Sequence, residues 1–160
     1  MGDHVDLVRG WQNAGIGPGD TVLVHSRLVP TLKRLRAAGL EATPDIVLDS
    51  LLDALGSHGT LLLPLFNFDF TRGVPFDIRS TPSQMGILTE AGRLRANAVR
   101  TGHPIYSFAA IGAKADAFRD VVNFSGYAQD SPFGILYGIQ QNALSVRAGS
   151  VKKEQGMFLR

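Results

Sequence analysis

Short, continuously apolar runs alternating with well-delimited helices constrain this chain more than any other feature. Thr21-Val22-Leu23-Val24 and Thr60-Leu61-Leu62-Leu63-Pro64 are too short for helices and lack the polar alternation of a half-buried strand. Such runs read as strands covered on both faces. Between them, Thr43-Pro44 opens a helix that turns Val47, Leu48, Leu51, Leu52 and Leu55 inward, and Gly56 stops it. Ahead of the first strand, Asp3 suits the cap of a helix carrying Val5, Val8 and Trp11 on one face and ending near Gly15. Further on, Tyr106 to Ile111 reads as a third strand and Lys114 to Arg119 as a short helix. Ser131-Pro132 starts a helical turn through Tyr137. Strands alternating with helices predict an α/β sheet with covered faces. In such sheets, sites gather at the carboxyl ends of strands.

A chain of 160 residues is long enough for one domain with a real core. The formal net charge of +2 is too small to argue for a nucleic-acid partner. The densest basic run, Lys33-Arg34-Leu35-Arg36, reads as a solvated helix face. With no cysteine, thiolate metal sites, thiol nucleophiles and disulfides are excluded. The N-terminus lacks a basic segment followed by an apolar one, so no signal peptide is expected. The longest strongly apolar run, Thr60 to Phe66, is too short to span a bilayer. A cytoplasmic protein is the expectation.

Three loops carry the candidate chemistry. His25-Ser26-Arg27 follows the first strand, where a hydroxyl and backbone N–H groups suit a ligand's amide or carbonyl; a satisfied turn pair reads equally well. The glycines of a nucleophile elbow are absent. His103-Pro104 precedes the third strand, and the proline holds His103 in extended backbone. His25 and His103 are the weak candidates for a catalytic base, although a lone histidine is more often structural. The four histidines show no metal-ligand spacing, so no metal is expected. The long loop from about Asn67 to Ser80 places Asp69 and Asp77 among Phe68, Phe70 and Phe76, a combination that suits a cation or simply loop packing.

The loop ends in a run of helix-start signals. Thr81 suits an N-cap, Pro82 the first helical position, and Gln84 the third, closing a capping box on a helix expected to reach about Arg95. A helix start of this kind favours an anion.

In order, the chain carries Gly19-Asp20-Thr21-Val22-Leu23-Val24-His25-Ser26, a helix from Asp45 to Gly56 running into Gly59-Thr60-Leu61-Leu62-Leu63-Pro64, then Pro75-Phe76-Asp77. Thr81-Pro82-Ser83-x-Met85-Gly86, His103-Pro104-x-x-Ser107-Phe108-Ala109 and Asp130-Ser131-Pro132-Phe133-Gly134 come next. Each motif is weak alone; the ordered series over roughly residues 15 to 137 resembles the aminoglycoside 3-N-acetyltransferases, or antibiotic N-acetyltransferase family. The resemblance implies a layered helix/sheet/helix α/β fold, distinct from the GNAT acetyltransferases and incomplete at the C-terminus. It implies transfer of an acetyl group from acetyl-CoA to the amine of an aminoglycoside or amino-sugar-like substrate. His25, Ser26, Arg27, Thr81, Pro82, Ser83 and Met85 would then contact the coenzyme, and Asn67 and Asp69 the amine substrate. Phe68 stands where tryptophan is common in antibiotic-acetylating members.

The resemblance also divides the chain. Residues 1–137 read as the N-terminal part of an acetyltransferase-like domain and residues 138–160 as a divergent tail. Family members continue into a helix bearing a histidine taken as the general base, and no histidine follows His103 here. An alternative expectation is therefore a catalytically inactive CoA-binding relative or fragment. A sheet left partly uncovered would favour self-association.

Overall fold

The computed structural model describes residues 2–142. The 138–160 tail lies outside the described residues from 143 onward. Helix α1 (Gly2–Asn13), strand β1 (Thr21–Leu23), helices α2 (Leu28–Ala37) and α3 (Pro44–Leu55) and strand β2 (Thr60–Pro64) come first. Helix α4 (Ile87–Arg93), strands β3 (Val99–Arg100) and β4 (Phe108–Gly112) and helix α5 (Pro132–Asn142) complete the order. The four strands form one sheet in the order β1-β2-β4-β3. β1 and β2 are parallel, whereas β4 runs antiparallel to both β2 and β3.

β2 is the centre of the fold because every residue in it is buried. Leu61, Leu63 and Leu65 face one layer, built from Leu7 and Trp11 of α1, Val47, Leu48, Leu51 and Leu55 of α3, and Leu88 of α4. Leu62 faces the other way, onto Ala110, Val99, Phe118 and Leu136, so the 3₁₀ turn Ala115–Phe118 and α5 cover that side. The alternation follows from the pleat, which sends successive side chains to opposite faces. α1 is pinned to α3 where the Trp11 indole N–H donates to Ser50 Oγ at 2.9 Å. The Thr43 hydroxyl accepts the Ile46 N–H at 3.2 Å, Pro44 takes the first turn, and Gly56 ends α3 at φ 64.

Several elements depart from the sequence reading. α2 is a full helix, with Leu28 and Leu32 buried and Lys33, Arg34 and Arg36 exposed. α1 begins at Gly2, ahead of Asp3. β4 starts two residues later than expected, because the Ile105 and Tyr106 N–H groups donate to His103 Nδ1 at 3.1 and 2.9 Å. α5 continues past Tyr137 to Asn142, so the boundary drawn at residue 137 falls inside a helix.

The largest departure lies at Thr81. No helix starts there; α4 begins at Ile87. The Thr81 hydroxyl accepts the Asp77 N–H at 2.8 Å instead of capping a helix. The next amides are engaged elsewhere: Ser83 N–H donates to Glu90 Oε2 at 2.9 Å, Gln84 N–H to Phe66 O at 2.9 Å and Met85 N–H to Ser83 Oγ at 3.1 Å. Tertiary partners outcompete the local capping box.

Candidate active site

After β1, Val24 N–H still donates to Leu62 O at 2.9 Å. The chain then turns through His25, Ser26 and Arg27 into α2. Pro30 falls in the first turn of α2, where its missing N–H costs nothing. α2 starts at Leu28 with no side-chain cap, and α4 starts at Ile87 with Gly86 before it, also without one. The first amides of a helix have no intrahelical partner and sit at the positive end of its dipole.

The two helix starts border one cleft of about 480 Å³, lined by His25, Ser26, Arg27, Leu28, Val29, Gln84, Met85, Gly86 and Ile87. Leu28, Val29, Met85 and Ile87 make its walls apolar. Ser26 lines the cleft, and its Oγ is buried beside it without a hydrogen-bond partner. Arg27 is exposed and makes no ion pair among the described residues. His25 is exposed in the same lining.

Of the seven residues expected at the coenzyme, His25, Ser26, Arg27 and Met85 meet in this cleft. Ser83 sits behind it, with its hydroxyl 2.8 Å from Thr89 Oγ1. Thr81 and Pro82 instead line a separate pocket of about 80 Å³, with Asn67, Asp69, Phe70, Val74, Pro75, Phe76 and Pro104. The stretch from 81 to 87 is thus the partition between the two cavities.

Asn67 and Asp69 do share that smaller pocket. Asn67 is buried at 2% exposure and both ends of its amide are engaged: Nδ2 donates to Pro82 O at 2.9 Å and Oδ1 accepts the Asp69 N–H at 2.8 Å. Asn67 therefore shapes the pocket, while the Asp69 carboxylate borders it. Hydrogen bonds from Arg72, then from Gln84, hold that carboxyl below the usual range, so it is an anion at neutral pH. Asp77 is engaged in its own turn, accepting the Arg79 and Ser80 N–H groups at 2.7 and 3.2 Å.

His103 is buried, and its Nδ1 accepts two backbone N–H groups, which places any neutral-ring proton on Nε2. Its role in the fold is to hold the 103–106 turn. His4 Nε2 lies 2.6 Å from Asp53, and His58 is exposed in the turn before β2. Among the described residues there is no group of three or more His, Asp or Glu placed to hold a metal ion. No described helix is long and apolar enough to cross a membrane.

Two features escaped the sequence reading. Phe66, Tyr106, Tyr127, Phe133 and Phe108 form a continuous ring cluster, with centroid separations of 5.0 to 5.5 Å. They come from three separate segments, so no local pattern announces them. Arg93 and Arg100 also brace the loop before α4. Arg93 grips Glu90 through Nε at 2.9 Å and Nη2 at 2.5 Å, and reaches Arg79 O at 2.9 Å. The Arg93 hydrogen bonds hold the Glu90 carboxyl below its usual range.

Known proteins resemble this chain in sequence and fold. The profile of the family described as aminoglycoside 3-N-acetyltransferase matches residues 23–152. Aminoglycoside N(3)-acetyltransferase VIII of Streptomyces fradiae is 30% identical, covering 82% of this chain and 51% of the relative. Aminoglycoside N(3)-acetyltransferase VII of Streptomyces paromomycinus is 32% identical, covering 80% and 47%. The chain thus spans about half the length of the curated relatives it matches. The crystal structure of aminoglycoside acetyltransferase AAC(3)-Xa superposes with a TM-score of 0.69 at 30% identity, over 84% of this chain and 53% of that one. A variant of AAC(3)-IVa in complex with a gentamicin superposes at 0.69 and 27%, over 84% and 50%. AAC-IIIb in its binary complex with CoASH shares the fold, at 0.70 and 24%, over 91% and 58%. The chain belongs to the aminoglycoside 3-N-acetyltransferase family.

Proposed function

We propose that this chain binds acetyl-CoA in the cleft between the β1–α2 turn and the start of α4, and promotes acetyl transfer to an amine of an aminoglycoside-like substrate. The observation that carries the reading is the convergence of two uncapped helix starts on one apolar-walled cleft lined by Ser26, whose buried hydroxyl has no hydrogen-bond partner. Leu28, Val29, Met85 and Ile87 suit the methylene stretches of a pantetheine arm. Ser26 Oγ suits one of its amides, and the helix-start amides suit a carbonyl or phosphate oxygen. Arg27 at the rim supplies positive charge for the phosphates. The names of the relatives, and the CoASH complex of a protein with the same fold, support this choice of ligand.

Acetyl-CoA supplies the acetyl thioester. In the transfer, the amine nitrogen bonds to the carbonyl carbon, the C–S bond breaks, the thiol leaves, and the amine gives up a proton. An alkyl ammonium has a pKa of about 10, so most of it is protonated at neutral pH. A positioned base contributes roughly 10²–10⁴-fold. His25 is the histidine in this cleft, whereas His103 Nδ1 already accepts two N–H groups. We assign His25 the proton-accepting position and Asp69 the attraction of the ammonium form. A second reading, CoA binding without turnover, is favoured by that engagement of His103.

The test follows thiol release from acetyl-CoA with gentamicin as the amine probe. Release that requires the amine and falls at least tenfold in His25→Ala supports the assignment. A flat trace combined with saturable CoA binding establishes the second reading.

A further inference from the structure

The partition between the two cavities is held from below by a residue that lines neither of them. Arg100 sits on the two-residue edge strand β3. Its Nη1 donates to Thr81 O at 2.6 Å and to Ile78 O at 3.1 Å. Nε and Nη2 both reach Ser107 Oγ, at 3.3 and 3.2 Å, and the guanidinium carbon lies 5.1 Å from the centre of the Phe76 ring. Thr81 and Phe76 line the small pocket. Ser107 is fully buried and donates to Leu65 O at 3.4 Å, so the brace is anchored at the end of β2.

We propose that Arg100 is a specificity-determining positioning residue, which fixes the acceptor-side wall of the site by clamping the 76–82 segment to the sheet. The inference rests on the functional reading above for its kinetic consequence, and on the geometry alone for the clamp. The coenzyme-side wall has its own fastenings: Gln84 N–H to Phe66 O, Ser83 N–H to Glu90, and Ser83 Oγ to Thr89. None of these passes through Arg100. Loss of the guanidinium therefore frees the carbonyls of Ile78 and Thr81 and the Phe76 ring, and leaves residues 84–87 in place.

A further fact agrees with a dedicated role. Burial, then the nearby Arg93 charge, push the Arg100 pKa down to about 10, so the position disfavours a cation that it nevertheless holds. Two carbonyls, a hydroxyl and an aromatic face compensate. A lysine has a single ammonium and lacks the planar fork that serves these partners together.

The experiment compares wild type, Arg100→Met and Arg100→Lys by hydrogen exchange and by kinetics, with Ser107→Ala as a milder cut in the same brace. Exchange at residues 77–82 is expected to rise at least tenfold in the methionine variant, less in the other two, and to stay unchanged at 61–63 and 84–87. With gentamicin as acceptor, its KM rises at least tenfold while the KM for acetyl-CoA stays within twofold, and lysine restores part of the loss. Equal exchange at 77–82 in all four proteins overturns the clamp. A parallel rise of both KM values, or faster exchange throughout the sheet, overturns the positioning role and shows a general folding contribution. If wild type itself releases no thiol, the functional reading fails separately. Exchange and CoA calorimetry then decide: looser 77–82 with unchanged CoA affinity supports the clamp, and a joint loss of both overturns it.

Discussion

Gly86 faces the Ser26 carbonyl across the base of the cleft, close enough that a methyl group built on Gly86 would lie 3.7 Å from that oxygen. The contact distance is ordinary. The backbone is not, because Gly86 adopts φ 113, a region that L side chains rarely enter. Gly86→Ala is therefore expected to destabilise the fold by about 1–3 kcal/mol. The cost arises at the junction of the two cleft walls, so the variant should also weaken CoA binding. Thermal unfolding and calorimetry on the same sample check both effects.

Glu90 ties α4 to the segment before it, and the tie is pH-dependent. Its carboxyl is held below the ordinary value of 4.5, first by the Arg93 hydrogen bonds. A depressed carboxyl pKa contributes stability that is fully present above the ordinary value and is lost as pH falls through the folded-state value. Glu90→Gln should be less stable than wild type at neutral pH. The difference should shrink as pH is lowered from about 6 to about 3. Denaturant midpoints across that range measure it. A gap that widens on acidification would contradict the assignment.

His103 holds its turn by accepting two backbone amides at one nitrogen. His103→Phe keeps an aromatic ring beside Tyr106, whose centroid lies 5.3 Å away, but leaves the Ile105 and Tyr106 N–H groups without that acceptor. An unsatisfied buried donor costs about 1–3 kcal/mol. The variant should unfold earlier, and exchange at Ile105 and Tyr106 should quicken more than at Ala109 or Ala110.

How much of this was legible in the sequence depends on whether the deciding partner was local. β2 is legible at its true limits because five consecutive apolar or β-forming residues need no distant help to declare a buried strand. α3 was equally plain, since Thr43, Pro44 and Gly56 state both of its ends. The segment at Thr81 carries equally strong local signals, yet no helix starts there. Its amides belong to Phe66, Glu90 and Ser83, two of which lie beyond any capping window. For the same reason Thr81 and Pro82 fall in one cavity and Met85 in another, a split set by Asn67 reaching Pro82 O. The pairing of His25, Ser26 and Arg27 with Met85 was legible through the ordered motifs. α2 was visible in principle, because Leu28, Leu32 and Leu35 recur at helical spacing. Arg100 was not, since a two-residue strand leaves no periodicity and its partners are 7 to 24 positions away.

The proposed acetyl transfer requires CoA to enter the cleft between residues 25–29 and 84–87. Calorimetric titration of the chain with CoA, beside Val29→Trp, decides whether it does. Val29 is 46% exposed at the start of α2, so a larger side chain there fills the cleft without disturbing the core. Saturable one-site binding is expected for wild type and at least tenfold weaker binding for the tryptophan variant, with equal thermal stability of the two. Absent binding, or equal affinity in both proteins, would contradict a coenzyme site in this cleft.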